Sequence, residues 1–209
     1  MKQLTGVDVS FLLMETDNNY GHVNGLSIYD RPSDDFDPFT AVRERMRIMV
    51  GHLEPLRRKV VEVPFSLDRP YWVEDGDFDL DYHVREIALP KPGSDAQLAQ
   101  QVARIMERPL DRKRPLWELY VIHGLKSGLT AMLSKIHHAV VDGISGAEIM
   151  GLLLDTQPEG RELPEPPERS TDTQPGSNEL VARALMGLPR YPLRLLRALP
   201  SAEIGRAHV

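Results

Sequence analysis

The chain has 209 residues, no cysteine and a formal net charge of −6 at pH 7. This length suffices to bury a large core, and the lack of thiols excludes disulfides, thiolate metal sites and covalent catalysis by cysteine. The acidic balance, spread without a basic face, leaves nucleic acid out of the expected partners. The first residues lack the layout of a signal peptide, and no stretch approaches the roughly 20 apolar residues of a membrane span, so we expect a cytoplasmic protein.

Residues 1–155 have the hydrophobic periodicities of a mixed α/β unit. Apolar residues recur at helical spacing from Phe39 to Leu53 and predict a helix with one face packed on a sheet. Apolar residues alternate with polar ones over 78–84, which predicts a half-buried strand. The other elements predicted in this part are a helix over 7–14 and strands over 22–30 and 60–64.

A hairpin and two capped helices are predicted in the rest of this unit. Ser94 and Gln97 have the spacing of a capping box, so a helix begins there. Strand-like runs over 116–125 and 129–138 flank the sequence KSG and predict a hairpin. Capping-box spacing recurs from Ser145 and predicts a last helix directly after the hairpin.

The composition changes after residue 155. Residues 156–177 are rich in proline and charge and poor in apolar residues, so they predict a linker that does not pack. Residues 178–209 carry arginines among leucines at roughly helical spacing and predict an amphipathic helical tail. Two interpretations of this tail are open: it lies on an anionic membrane or lipid-droplet surface, or it is a connecting helix that covers the first sheet.

The sequence SKIHHAVVDGISG, residues 134–146, places two adjacent histidines at the end of the second hairpin strand. Neighbouring strand residues point to opposite faces, so His137 and His138 do not readily share a metal ion, and no metal site is expected. Two interpretations are left: a buried pair in a tight turn, or a catalytic turn in which His138 is a general base. Asp142 and Gly143 follow before the capped helix, and this arrangement at a strand end supports the catalytic interpretation.

The pattern HHxxxDG resembles the motif of the CoA-dependent acyltransferase superfamily. Residues 4 to about 155 are similar to one of its families, the bacterial wax ester synthase/acyl-CoA:diacylglycerol acyltransferases, particularly the actinobacterial members. The segments that carry the resemblance are LTGVDVSFLLMET, HVNGLSIYD, PLRRKV, WVEDGDFDLDYHVREIALPKPG, RPLDRKRPLWELYVIHGL and KIHHAVVDGISG. Among them, PLWE (Pro115 to Glu118) is specific to the family.

The resemblance implies half of a chloramphenicol-acetyltransferase-like α/β sandwich, a mixed sheet with helices packed on it. It implies that His138 deprotonates an acceptor hydroxyl, which attacks an acyl-CoA thioester directly; acyl-CoA is the co-substrate and no cofactor is expected. The expected acceptor is diacylglycerol or a fatty alcohol. By the same resemblance, His137 is structural and Gly143 keeps the floor of a substrate channel clear. Asp142 would pair with Arg57 and brace the turn.

Members of this family are about twice as long, so the resemblance also implies a missing C-terminal half that completes the channel. We expect the isolated chain to be weakly active or inactive, because positioning accounts for much of the catalysis between two bound substrates. A peripheral location on the inner membrane or on lipid droplets would suit such substrates. Two alternatives are open: another CoA-dependent alcohol or amine acyltransferase, against which PLWE argues, and a noncatalytic lipid-surface or partner-binding fragment.

Overall fold

The computed structural model describes residues 1–17, 19–141 and 175–187. The strands in these ranges are β1 (Lys2–Gln3), β2 (His22–Tyr29), β3 (Arg58–Val61), β4 (Tyr71–Glu74), β5 (Val84–Ala88), β6 (Trp117–His123) and β7 (Thr130–His137). The α-helices are α1 (Gly6–Leu13), α2 (Pro38–His52), α3 (Leu80–His83), α4 (Asp95–Met106) and α5 (Ser177–Gly187). Short 3-10 turns cover Glu54–Arg57 and Pro64–Ser66.

A four-stranded mixed sheet in the order β2-β7-β6-β5 forms the centre of the fold. The hairpin β6–β7 is antiparallel, as predicted, and β2 pairs antiparallel with the other edge of β7. β5 runs parallel to β6, and α4 lies between β5 and β6 in the chain. Because of this register, His22 at the start of β2 lies opposite His137 at the end of β7.

Helices cover both faces of this sheet. On one face, Met46 and Met49 of α2 share a buried cluster with Trp117 of β6. On the other face, Ile105 of α4 is buried with Ile122 of β6. Since successive strand residues point to opposite faces, β6 is covered on both sides.

The predicted helices begin where their capping residues lie. The Ser94 side chain accepts from the backbone of Gln97, and the Gln97 side chain accepts from the backbone of Ser94, so both bonds of the predicted capping box are made. The helix predicted over 7–14 is α1, and the amphipathic segment is α2. Local sequence therefore determines the start of these elements.

The strand predicted over 78–84 is wrong. Residues Leu80–His83 form one helical turn, and strand β5 begins only at Val84. Asp79 caps the turn by accepting a hydrogen bond from the backbone of Asp81 at 3.0 Å. His83, expected on the polar face of a strand, is fully buried and stacks on Phe78 with ring centroids 5.1 Å apart. Alternation alone does not reveal this turn, because His83 also stacks on Trp117, which lies 34 positions away in the chain.

A second, three-stranded antiparallel sheet has the order β1-β4-β3. The strand predicted over 60–64 lies two to three residues earlier as β3, since Pro64 begins a 3-10 turn and has no N–H to donate to a ladder. Beside this sheet, Leu180 and Ala184 of α5 are buried against Val63.

Several predicted segments lie outside the described residues: the helix from Ser145, residues 156–174 of the predicted linker, and the tail beyond residue 187. The predicted division into residues 1–155, 156–177 and 178–209 stays a prediction. None of the helices in the described ranges is both long enough and apolar enough to cross a membrane.

Candidate active site

The end of β7 places the two histidines of the motif in different environments. His137 is the last residue of β7 and only 1% exposed, whereas His138, the next residue, is exposed. This matches the expectation that neighbouring side chains at a strand end point in different directions. The following residues, Ala139 and Val140, are buried in the main core.

The His137 ring is held through both nitrogens. Its Nδ1 accepts the backbone N–H of Ala139 at 3.0 Å, and its Nε2 lies 3.1 Å from Oε1 of Glu15. Because Nδ1 is an acceptor, the proton of the neutral ring sits on Nε2 and is donated to Glu15. Burial lowers the pKa of His137 below its usual value, against the opposing attraction of the Glu15 carboxylate. His137 is therefore neutral near pH 7.

Glu15 is the anionic centre of this cluster. Its carboxylate accepts from the backbone N–H of Gly21 at 3.0 Å and from Nη2 of Arg112 at 2.7 Å. Burial raises the pKa of Glu15, but hydrogen bonds from Arg112 and Gly21 and the charges around it outweigh that effect and hold the pKa below its usual value. The ionised carboxylate thus binds the end of α1 to three other parts of the chain.

His138 rests on an aromatic support. Its ring stacks on Phe11 of α1, with centroids 4.2 Å apart and 11° between the planes. Its backbone N–H donates to the carbonyl of Gly21 at 2.6 Å, and its carbonyl accepts from Val141 at 3.2 Å. The imidazole is consequently fixed on one face and reaches solvent.

A third histidine adjoins the pair. His22 packs edge-on against His137, with ring centroids 6.2 Å apart, and its Nε2 lies 3.9 Å from Oε1 of Glu15. Only 3% of the His22 side chain is exposed. Burial, together with the positive charge of Lys135, lowers the pKa of His22 to about 4. His22 is therefore neutral as well, and the negative charge of Glu15 is balanced by Arg112.

Arg57, the predicted partner of Asp142, is buried and makes three hydrogen bonds within the described part of the chain. Its Nε donates to Glu74 at 2.9 Å, and its Nη1 donates to the carbonyls of Gly51 and Val50. Arg57 thus binds the end of α2 to β4. Asp142 and Gly143 lie outside the described residues, so their predicted roles stay predictions.

The PLWE residues are part of the core. Trp117 is buried, and its indole N–H donates to the carbonyl of Leu56 at 2.8 Å. Glu118 is buried too; it accepts from the hydroxyl of Tyr120 at 2.6 Å and lies 3.2 Å from Arg85. These contacts give Trp117 and Glu118 a structural role.

Sequence reasoning did not single out Glu15, Phe11, Gly21 or Arg112. Glu15 and His137 are 122 positions apart, and no local pattern connects them. Glu15 and Phe11 do lie in LTGVDVSFLLMET, one of the segments that resembled a known family, and that was the available signal. Within the described ranges, no group of three or more His, Asp or Glu side chains is arranged to hold a metal ion.

Comparison with known proteins identifies the family. The model of the wax ester synthase/diacylglycerol acyltransferase catalytic domain matches residues 4–205. The tgs3 protein of Mycobacterium tuberculosis, named a probable diacylglycerol O-acyltransferase, is 36% identical over 206 residues, which are 97% of this chain and 74% of that protein. The tgs1 protein of the same species, named in the same way, is 39% identical over 158 residues, 74% of this chain and 33% of that protein.

Solved structures share the fold. The wax ester synthase/diacylglycerol acyltransferase of Marinobacter aquaeolei VT8 superposes with a TM-score of 0.66 and 29% identity, covering 92% of this chain and 47% of that one. The starter condensation domain of rhizomide synthetase RzmA superposes with a TM-score of 0.56 at 14% identity over 73% of this chain and 37% of that one, a likeness of fold alone. The predicted chloramphenicol-acetyltransferase-like α/β class is confirmed. This chain spans about half of the Marinobacter protein and belongs to the wax ester synthase/diacylglycerol acyltransferase family.

Proposed function

We propose that this chain provides the catalytic histidine of an acyltransferase that moves a long-chain acyl group from acyl-CoA to the hydroxyl of diacylglycerol or a fatty alcohol. The observation that carries the proposal is the exposed imidazole of His138, fixed on Phe11 at the end of β7. The names of the related proteins support the substrate class. Acyl-CoA is a co-substrate in this scheme, and no other cofactor takes part.

In the proposed reaction His138 acts as a general base. A neutral ring nitrogen takes the proton of the acceptor hydroxyl as the oxygen attacks the thioester carbonyl. The tetrahedral intermediate then breaks its C–S bond, and the departing CoA thiolate recovers the proton from the imidazolium. The products are the ester and free CoA, with no covalent enzyme intermediate.

His138 suits this role better than His137. The His137 ring is 1% exposed, and both its nitrogens are occupied by Ala139 and Glu15. A general base must come within hydrogen-bond reach of the proton that it removes. The exposed His138 ring can be reached by a substrate, whereas the buried ring of His137 serves to hold the turn.

We further propose that Asp142 pairs with Arg57 and braces this turn. The buried guanidinium of Arg57, already held by Glu74 and the end of α2, would offer a fixed cation at that position. Gly143 would leave room beside the base for the substrates. Asp142→Ala and Arg57→Ala in a double-mutant cycle test the pair: independent effects on kcat would refute it.

The second half of the substrate channel is proposed to come from a C-terminal half of the kind that the longer family members have. Its wall would position the two substrates against His138, so the isolated chain is expected to be weakly active or inactive. A peripheral location on the inner membrane or on lipid droplets would bring the chain to its substrates. In α5, Leu185 and Met186 are 53% and 68% exposed and could contribute to such contact.

The decisive experiment measures CoA release from a long-chain acyl-CoA with diacylglycerol and, separately, with a fatty alcohol. The chain is compared with His138→Ala and with a matched control, His123→Ala, whose histidine lies at the far end of β6. Release that requires an acceptor, is lost in His138→Ala and is retained in His123→Ala supports the proposal.

If the intact chain releases no CoA, the C-terminal half of a full-length relative is added in trans. Restored, His138-dependent release supports a two-half enzyme. Release that persists in His138→Ala under either condition would refute His138 as the base. No release with both halves present would favour a noncatalytic lipid-surface or partner-binding role.

A further inference from the structure

The Glu15 carboxylate is the point at which four separate segments meet. It lies just beyond α1, accepts the backbone N–H of Gly21 ahead of β2, pairs with Arg112 ahead of β6, and accepts the Nε2 proton of His137 at the end of β7. Arg112 also donates to the carbonyl of Leu12, so the end of α1 is bound twice. Only 14% of the Glu15 side chain is exposed.

The two neutral partners of Glu15 each continue to the backbone around His138. Gly21, whose N–H binds Glu15, accepts the N–H of His138 on its carbonyl at 2.6 Å. His137, whose Nε2 proton binds Glu15, accepts the N–H of Ala139 on Nδ1 at 3.0 Å. The peptide N–H groups of His138 and of the residue after it are thus held by acceptors that Glu15 fixes.

We propose that Glu15 is a positioning residue for His138: its carboxylate fixes the backbone of the proposed base from both sides, through Gly21 and through His137. This inference rests on the proposed function for its catalytic consequence. Its structural content stands independently, because it concerns contacts that can be measured in the free chain. Glu15 does not touch the substrates; it keeps the His138 ring over Phe11 and aimed at them.

The charge of Glu15 matters to this role. A carboxylate accepts stronger hydrogen bonds than a neutral amide does, and Arg112 balances it without competing for the oxygen that faces Gly21 and His137. A glutamine at position 15 can still present one carbonyl oxygen to those two donors, but its amide group faces the guanidinium unfavourably. An alanine removes all three contacts.

The test combines amide hydrogen exchange by NMR with acyl transfer by the full chain, to which the C-terminal half of a full-length relative is added in trans if the chain alone releases no CoA. In folded Glu15→Ala, the amides of His138 and Ala139 should exchange at least about tenfold faster, while amides in the centre of β6 and β7 keep their rates. With substrates, kcat should fall by about tenfold or more and the KM for acyl-CoA should stay within about twofold. Glu15→Gln should give intermediate values for both readouts and covers the case in which the alanine variant does not fold.

The matched control is Glu62→Gln. Glu62 approaches Arg112 from the other side, at 3.9 Å, but its side chain is 72% exposed and makes no contact with the histidines among the described residues. The Glu62→Gln variant should leave the amide exchange rates of residues 138 and 139 and the value of kcat unchanged.

Two results would overturn the inference: unchanged exchange at residues 138 and 139 in the folded variant, or a uniform acceleration across the sheet, which a merely structural residue would produce. Failure of the proposed function looks different. The chain would then show no His138-dependent acyl transfer, while the exchange measurement would still decide whether Glu15 fixes the turn.

Discussion

The imidazole of His138 and the phenyl ring of Phe11 lie almost parallel, 11° apart, with centroids separated by 4.2 Å. The stack covers one face of the proposed base and leaves the ring edge, where the nitrogens are, available to a substrate. Because α1 supplies Phe11 and β7 leads into His138, the orientation of the base depends on how these two elements pack.

Replacing Phe11 with leucine should impair catalysis more than folding. Leucine retains apolar volume under the ring but loses the aromatic stack, which is worth about 0.5–1.5 kcal/mol. We expect kcat for CoA release to fall about three- to tenfold. The control is Phe65→Leu, since Phe65 is 89% exposed. A Phe11→Leu enzyme with an unchanged kcat would show that the stack does not orient the base.

Gly21→Ala should displace His137. A Cβ at this position would lie 2.9 Å from Nε2 of the His137 ring, closer than a Cβ atom is found to any neighbour, and 3.3 Å from Cε1, which is a tight contact. The ring must shift, which strains its bond to Glu15, so we expect a loss of about 1–3 kcal/mol in the free energy of unfolding, together with reduced CoA release.

The matched glycine for this experiment is Gly76, where an added Cβ meets nothing within 4 Å. Urea titrations of both alanine variants give the comparison. Equal stability of the Gly21 and Gly76 variants would contradict the close packing of Gly21 on His137.

The main elements of the fold could be predicted because their signals are local. The periodicity of α2, the capping box at Ser94 and the two apolar runs of the β6–β7 hairpin are each contained in fewer than about 20 residues. The segment over 78–84 was predicted wrongly, since His83 is buried by stacking on Trp117, 34 positions away, with ring centroids 4.6 Å apart. No periodicity within the segment carries that information.

The candidate site, too, could be predicted from the sequence only in part. The motif itself indicated His137 and His138, and its place at a strand end indicated that their side chains point in different directions. Their supports, Phe11 and Glu15, come from α1 and the residues that follow it, more than 100 positions earlier, and are brought in by the pairing of β2 with β7. A pattern read along the chain cannot give such a contact, because it depends on which strands become neighbours.

Arg57→Ala should be strongly destabilising. Arg57 is 8% exposed and binds Glu74, whose side chain is 11% exposed, and two carbonyls at the end of α2, so its removal leaves a largely buried carboxylate and these carbonyls without the guanidinium. Breaking a buried pair of this kind costs about 3–5 kcal/mol. The control, Arg47→Ala, breaks an exposed pair with Glu44 and should cost less than about 1 kcal/mol. A similar cost for both variants in urea unfolding would refute the structural role of Arg57.

His22 should make stability depend on pH. Burial and the charge of Lys135 lower the pKa of His22 to about 4 in the folded chain, whereas an unfolded histidine has a pKa of about 6.5. The unfolded state therefore binds the proton first as the pH falls, and stability is lost from about pH 6.5 down to about pH 4. In His22→Gln the loss between pH 7 and pH 5 should be smaller by about 2 kcal/mol.

Urea midpoints of the chain and of His22→Gln at the two pH values measure this difference, with His123→Gln as the control, because His123 is 40% exposed. Parallel pH profiles for the chain and His22→Gln would mean that His22 is protonated equally easily in the folded and unfolded states.

Lys135→Met should destabilise the chain by removing a cap on α4. The fully buried ammonium donates to the carbonyls of Ile105 and Arg108, at and just beyond the carboxyl end of α4. The Ile105 carbonyl keeps the backbone N–H of Arg108 at 3.4 Å, but the Arg108 carbonyl lies beyond the last helical turn, and leaving it unpaired costs about 1–3 kcal/mol. Lys126→Met is the matched control, since Lys126 is exposed in the loop between β6 and β7.

The same lysine predicts a second effect in the alkaline range, with the same sign as that of His22: stability rises with pH. Burial lowers the pKa of Lys135 to about 8, against the attraction of Glu118, while an unfolded lysine has a pKa of about 10.4. Between these values the unfolded state binds more protons, so this residue contributes a rise in stability from about pH 8 to about pH 10. The rise should be present in Lys126→Met and absent from Lys135→Met; a methionine variant at position 135 that keeps it would show that another group is responsible.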